Sequence, residues 1–581
     1  MDTKTLLPDT CVTVSQARYL IENGRFFPID LNSPFYFENV ILLAIPMSFG
    51  LDPFRSVMII QFFIDISIFY ILLRIFHLLF NRNAFLEVIF SIFYFFFQYF
   101  IIYQFQFRQE SIPILIITLL GYLMISYELK NRSLNIPNKE KKSLILIIIL
   151  AYSVIFFHYL SAFFCFLLLL CYFILFPRNY PFFKILALIF YPICILTYWT
   201  FFFKYHGLID LTNKVLAFSL AFLQDRFSMF ILTVFIASLI LILLIIRKKN
   251  LLKIRNNALI KMIKNLFEKI KVIVEKRLIL FAIFVYLVLV GFIALYYAFV
   301  YDLSLNGIVV QLIQNIDLPA YFSLFCLTFI LIITSNSRIA KIFRIWIFFS
   351  LFILALFASF FFLNKFIYIT SWQFRFLFML FIPVIIISTR GSEQLVKIKK
   401  KRVYFIIAFF SMTSIIGGIS FLKKNNLDNP FNDYMTREEY TAGLWIDKNI
   451  PRNSCLILSN YSTTFVYAAS SYPNYPPDPY SDALYNWKIF NELFGIKTYV
   501  DLKNNASASV QYIQLIRAWI YSIYQLYGQF KFYLIITERN KQDSNYRINY
   551  WMYIFENNTL FNTIYDQNTV TIIEILTVNL L

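Results

Sequence analysis

Seven polar side chains, set at the ends of long apolar runs, have the types and spacing that do chemistry: Asp9, Glu38, Arg108, Glu110, His158, Trp372 and Arg375. Ionisable groups at membrane depth are costly, so each is a functional candidate by default. Asp9 could serve as a general base, taking a proton from a hydroxyl as it attacks an anomeric carbon. It could equally cap the helical run that continues through Asn23 to Gly24. Glu38, in Phe35-Tyr36-Phe37-Glu38-Asn39-Val40, could ligate a divalent cation or meet a cationic partner, or favour a helix N-terminus as a first-turn acid. Arg108-Gln109-Glu110 precedes Pro113 and reads either as a phosphate clamp with its carboxylate or as a polar turn. His158 could donate to a phosphate or be a tolerated interfacial residue. Arg375, three residues after Trp372, suits a lipid phosphate whose tail lies in the bilayer, and snorkelling to head groups is the alternative. Asp65 and His77 stand apart from this set.

The elements that must position these groups are membrane spans. Of 581 residues, 60% are hydrophobic and 20% aromatic, and the mean hydropathy is +0.68. That composition belongs to an integral membrane protein. Twelve apolar spans are expected, near 57–79, 85–104, 111–127, 143–157, 159–176, 184–203, 228–246, 278–300, 319–335, 345–363, 374–389 and 403–422. The fold class is therefore mainly α, a polytopic helical bundle.

The net charge of +20 is concentrated in short loops. Arg247 to Arg277 holds 11 basic and 2 acidic residues, and Arg390 to Arg402 holds 6 and 1. Such loops mark the cytosolic side and contact anionic lipid head groups; they do not indicate nucleic acid. Alternation then places all seven candidates on or near the outer side.

Three regions follow. Residues 1–56 form an outer N-terminal loop in which 38–50 is too short to span and reads as a re-entrant or interfacial piece. Residues 57–422 form the transmembrane domain, and 423–581 an extracytoplasmic α/β domain. Either the chain inserts with its N-terminus outside or a further span precedes it; the second is expected, because a polar start of this length outside the membrane normally needs a leader. In the last region, Thr436-Arg437-Glu438-Glu439 is a capping box opening a helix to Pro451. Strands are expected at 454–458, 532–536 and 569–576, helices at 481–494 and 508–527, and a Tyr/Pro loop at 472–480. Sequons at Asn460, Asn505 and Asn557 agree with an external location.

Three histidines exclude a multi-histidine metal site, and six cysteines show no CxxC pattern, although a Cys11–Cys455 disulfide is an option outside. No P-loop, GxGxxG, HExxH or GxSxG is present in its required context.

The order of these motifs resembles the GT-C superfamily of polytopic glycosyltransferases, especially enzymes related to protein mannosyltransferases and aminoarabinose transferases. The likeness rests on Asp9, Gly24, Pro28, Pro34 and Glu38 in the first loop, Glu110 opening the third span, Arg375 opening a late span, and the Thr436–Pro451 segment. It implies a catalytic Asp9, lipid-phosphate contacts from Arg375 and Arg108, and a polyprenyl-phosphate-linked (dolichyl-type) sugar as donor. The acceptor would be a glycan, lipid or protein. Thr10 stands where the family has a second acid and Asn39 where it has a lysine, and no WWDYG-like motif occurs.

The reading from sequence is a cell-membrane glycosyltransferase working at the outer face, with Asp9 as base and Glu38, Arg108, Glu110, His158, Trp372 and Arg375 binding substrate. No cofactor is required by these residues, though a divalent cation has carboxylates to bind. A transporter or lipid flippase with an outer domain, or a glycan polymerase or ligase, is the alternative.

Overall fold

The structure is a computed structural model. It describes residues 13–14, 17–18, 20–21, 24, 37–51, 53–80, 83–97, 111–130, 137–176, 181–198, 258–300, 304–333, 335, 337–363, 379–398, 401–427, 437–451, 455–458, 514, 531–537, 561–567 and 570–575. Among these residues the chain is a helical bundle followed by a small α/β unit.

The first helix, α1 (Phe37–Ser48), occupies the segment expected to be too short to span. Its end is set by Gly50, whose φ of +82° is the left-handed region. Gly50 N–H donates to Met47 O (2.9 Å) and Leu51 N–H to Pro46 O (3.3 Å), which closes a Schellman motif and turns the chain into α2. The helix α2 (Pro53–Leu79) opens with proline at its first position, where the missing N–H costs nothing. Asn83 caps α3 (Ala84–Phe96), its side chain accepting from Phe85 N–H at 3.0 Å. The backbone is already extended at Phe97, so the expected 85–104 span is helical as far as Phe96.

The helices α4 (Ser111–Lys130), α5 (Pro137–Phe157) and α6 (Tyr159–Leu175) follow. The expected 184–203 span is α7 (Pro181–Ile185), a π-turn (Leu186–Phe190) and α8 (Tyr191–Thr197). Pro192 explains the widening: it has no N–H for the carbonyl four residues back, and its ring would strike that carbonyl. Tyr152 of α5 reaches across and donates to Leu186 O at 2.8 Å. The expected 228–246 span lies outside the described residues.

Two helices were not expected: α9 (Ala258–Lys276), within the basic block, and α11 (Leu305–Gln314). Between them runs α10 (Leu278–Val300). The bundle is completed by α12 (Asp317–Ile333), α13 (Arg338–Leu363), α14 (Phe381–Val396) and α15 (Lys401–Leu427).

Neighbours pack in the order α2, α4, α5, α6, α13, α14, α12, α10, with α15 between α12 and α3. One continuous apolar core runs through them, including Phe76, Phe90, Phe164, Trp346 and Ile385. Four described helices are long and apolar enough to cross a bilayer: Arg55–Leu79, Ser111–Leu129, Leu278–Leu295 and Lys401–Ser420. Six shorter apolar helices accompany them. Membrane character therefore stands on length and composition.

In the α/β unit, α16 (Arg437–Asn449) precedes four strands: β1 (Cys455–Leu458), β2 (Phe532–Thr537), β3 (Phe561–Gln567) and β4 (Val570–Ile575). Their sheet order is β1-β2-β4-β3, with β1 parallel to β2 and the other pairs antiparallel. Pairing of Tyr533 with Glu574 and Ile535 with Ile572 sets the register, and Ile535, Val570 and Ile572 are buried. Ala442, Ile446 and Ile450 of α16 belong to the same core, and Trp445 packs its ring on Tyr565 at 4.9 Å. The strand β3 was not expected, because Phe561-Asn562-Thr563-Ile564-Tyr565-Asp566-Gln567 alternates too weakly to announce itself. The expected helices at 481–494 and 508–527, the Tyr/Pro loop, and the three sequons lie outside the described residues, apart from position 514.

Candidate functional site

The two ends of the bundle can be told apart by their charges. At one end, called here the basic end, Glu128 of α4 is buried; it accepts from Tyr172 Oη of α6 (2.9 Å) and pairs with Arg338 of α13 (3.3 Å). Arg344 is also buried there, donating to the carbonyls of Ile332, in the last turn of α12, and of Ser335, just beyond it. Arg390 pairs with Glu393 and lies over the Phe343 ring at 5.2 Å, while His77 meets Glu87 at 3.1 Å. Buried charges persist only when paired in this way.

Away from the basic end, two groups of buried and half-buried polar side chains stand out among the described residues. The first joins α2, α3 and α4. Ser111 Oγ donates to Gln61 Oε1 at 3.1 Å, and Gln61 Nε2 donates to Asp65 Oδ1 at 2.8 Å. Tyr94 Oη donates to the Asp65 carbonyl at 2.9 Å. Gln61 and Asp65 meet because residues four apart share a helix face. Ser111 follows Glu110 in the chain, so the residue next to a candidate carboxylate is anchored to α2.

The second group sits where α12 begins. Asp317 is fully buried against α15, and a Cβ added at Gly417 would fall 2.8 Å from its Cγ. Only glycine allows this approach. One turn on, the hydroxyls of Tyr321 and Ser414 share a hydrogen bond. Aromatic rings connect the two groups: Tyr321 meets Phe93 and Phe97, each at 5.2 Å, and Phe381 meets Phe97 at 6.4 Å and Tyr94 at 5.6 Å. Phe381 opens α14 six residues after Arg375.

His158 stands between α5 and α6 as the N-cap of α6, with extended backbone (φ −163°, ψ 125°). Its Nδ1 accepts from Ser161 N–H at 3.3 Å and lies 3.1 Å from Ser161 Oγ. A neutral ring that accepts through Nδ1 carries its proton on Nε2. The side chain is fully buried and its cap shapes the α5–α6 turn. Beside it, Tyr191 donates to Ala162 O at 3.2 Å and stacks edge-on against Tyr152 at 5.2 Å.

Glu38 lies in the first turn of α1, which packs against α2 and α5. Its neighbour Asn39 is 2% exposed, and Asn39 Oδ1 has no hydrogen-bond partner among the described residues. Asp9, Arg108, Glu110, Trp372 and Arg375 lie outside the described residues, as does Cys11 of the suggested disulfide. Gly24 is described and has φ +62°, with its N–H donating to Leu20 O at 2.9 Å, which suits the C-terminal role read from sequence. No group of three or more potential metal ligands occurs among the described residues.

Sequence reading missed the structural part played by Asp65, Gln61, Ser111 and Asp317. The available signals were a Gln and an Asp four apart inside an apolar run, and an acid two residues before Pro319 at the head of a span.

No family model matches the chain, and no curated protein matches it. Among solved structures, it is similar to the crystal structure of ArnT from Cupriavidus metallidurans in the apo state. That likeness covers 99% of this chain and 94% of that one, at 9% sequence identity and a TM-score of 0.37.

Proposed function

We propose that this chain is a multi-pass GT-C-type glycosyltransferase of the cell membrane that moves a sugar from a polyprenyl (dolichyl-type) phosphate to an acceptor hydroxyl. In this reading twelve spans carry the basic loops on the cytosolic side, and residues 423–581 lie outside. Asp9 takes the proton of the acceptor hydroxyl as its oxygen bonds to the anomeric carbon. The bond from that carbon to the phosphate oxygen breaks, and the polyprenyl phosphate leaves with the electron pair. Arg375, beside Trp372, and Arg108 stabilise the charge on the leaving phosphate. Glu38 and Glu110 line the sugar, and His158 holds the wall at the α5–α6 turn. The acceptor is a glycan, lipid or protein hydroxyl.

The observation that best supports the reading is the buried Ser111–Gln61–Asp65 chain. It ties the start of α4, next to Arg108 and Glu110, to α2, which leaves the first loop. A site shared by those two segments needs them held in one geometry. A transporter reading draws on the same Asp65, an acid within a spanning helix.

Asp9→Asn separates these possibilities. A general base contributes roughly 10²–10⁴-fold, whereas asparagine caps a helix as well as aspartate. Sugar transfer from polyprenyl-phosphate sugar should fall by that factor while folding and donor binding stay native. Transfer at the native rate would remove Asp9 from the mechanism.

A further inference from the structure

The helix α9 has an apolar face divided between two surroundings. At about 100° per residue, Phe267, Ile270 and Val274 share one arc, and Met262, Leu266 and Ile273 the adjacent one. The first arc is packed: Phe267 meets Phe329 of α12 at 6.4 Å, and Val274 is 2% exposed. The second is open, with Met262, Leu266 and Ile273 at 61%, 52% and 60% exposed. Lys269 and Lys276, both exposed, border the open arc, and Arg277 follows it. The helix holds five lysines against two glutamates, and one of those, Glu275, pairs with Lys271 at 3.8 Å.

Arg277 alone separates α9 from α10, one of the helices able to cross a bilayer. The open row on α10 starts at once, with Leu280, Phe284 and Leu287 each at least 60% exposed. The apolar strip of α9 thus leads directly into an exposed apolar row on a helix long and apolar enough to cross a bilayer. Another short amphipathic helix provides a contrast. The helix α11 exposes Leu305, Val309, Val310 and Ile313 but contains no charged residue.

We propose that α9 lies in the membrane interface at the basic end and binds an anionic phospholipid surface. Met262, Leu266 and Ile273 enter the acyl region, and Lys269, Lys276 and Arg277 hold the phosphates. Amphipathic helices of this build bind by buried apolar area plus attraction to anionic lipid. The proposal is independent of the glycosyl-transfer reading.

The test uses the full chain, without native cysteines, in vesicles of phosphatidylcholine and phosphatidylglycerol. A fluorophore on Ile273→Cys reports quenching by brominated forms of either lipid, with Met262→Cys as a second site should the first variant fold poorly. Quenching by both lipids is expected, with brominated phosphatidylglycerol the more effective. Replacing Lys269, Lys276 and Arg277 by glutamine should lower that preference by about fivefold per charge at low salt. High salt should act in the same direction. A fluorophore on Val309→Cys in α11 should be quenched without preference. Absence of quenching at both 262 and 273 would mean that protein or water covers the strip, and would overturn the proposal. A preference unchanged in the triple variant would overturn it as well.

Discussion

The basic end and the opposite half of the bundle solve the problem of buried polarity in different ways. At the basic end several charges meet opposite charges, as in Glu128 with Arg338, while the buried Arg344 is held by backbone carbonyls. In the opposite half the buried groups are tied by side-chain and backbone hydrogen bonds, as in the Ser111–Gln61–Asp65 chain and the Tyr321–Ser414 pair. An ion pair satisfied within the protein fixes helices but offers little to a ligand. Hydrogen bonds of this kind tie α2, α3 and α4 together, and α12 to α15. The difference is in keeping with the proposal that the basic end anchors the bundle while sugar transfer takes place in the other half.

The sharpest way to break the comparison is topological. With native cysteines removed, an impermeant thiol reagent on intact cells should label Tyr475→Cys and Asn505→Cys and leave Lys264→Cys and Lys400→Cys unlabelled. Labelling at 264 would invert the orientation and move the catalytic side to the wrong end.

Next in size is the anchor itself. Arg338→Met leaves the Glu128 carboxylate buried without its cation, which costs about 3–5 kcal/mol when a buried pair is broken. Adding Glu128→Gln removes the stranded charge and still accepts from Tyr172, so most of that loss should return. Chemical unfolding of the purified variants measures both, and a double variant as unstable as the single one would show that the pair is not the source.

If Arg375 holds the donor phosphate as proposed, Arg375→Ala should weaken polyprenyl-phosphate binding by about 1.5–3 kcal/mol, the scale of a charge-assisted hydrogen bond. Arg375→Lys should not restore it fully, because a planar fork becomes a point charge. Unchanged affinity in the alanine variant would return Arg375 to a snorkelling role. The smallest effect concerns Gly50. Alanine meets no atom within 4 Å there but must adopt φ +82°. That costs roughly 1–2 kcal/mol, and an unfolding midpoint equal to the parent would mean that the α1–α2 turn is not held as described.

Much of the helical architecture was legible because it rests on local rules. Apolar runs located α2, α4, α5, α6, α10, α12 and α15 to within a few residues. Glycine placed the turn at Gly24, and the capping box located α16. The helix α9 was read only as a basic loop, because five lysines spread over 19 residues hide an apolar stripe from a hydropathy reading. Asp65 was visible as an oddity, but its partners were not. Gln61 lies one turn away, whereas Tyr94, which donates to the Asp65 carbonyl, is 29 residues distant.

By itself the sequence determined that this is a membrane-embedded helical protein with a basic side and a small α/β unit, because composition, period and charge placement are properties of the chain alone. The tertiary structure decided which polar residues meet. Hydrogen bonds such as Ser111–Gln61 and Tyr172–Glu128, and the seating of Asp317 against Gly417, arise only when helices distant in sequence pack to within van der Waals contact. No local pattern encodes that distance.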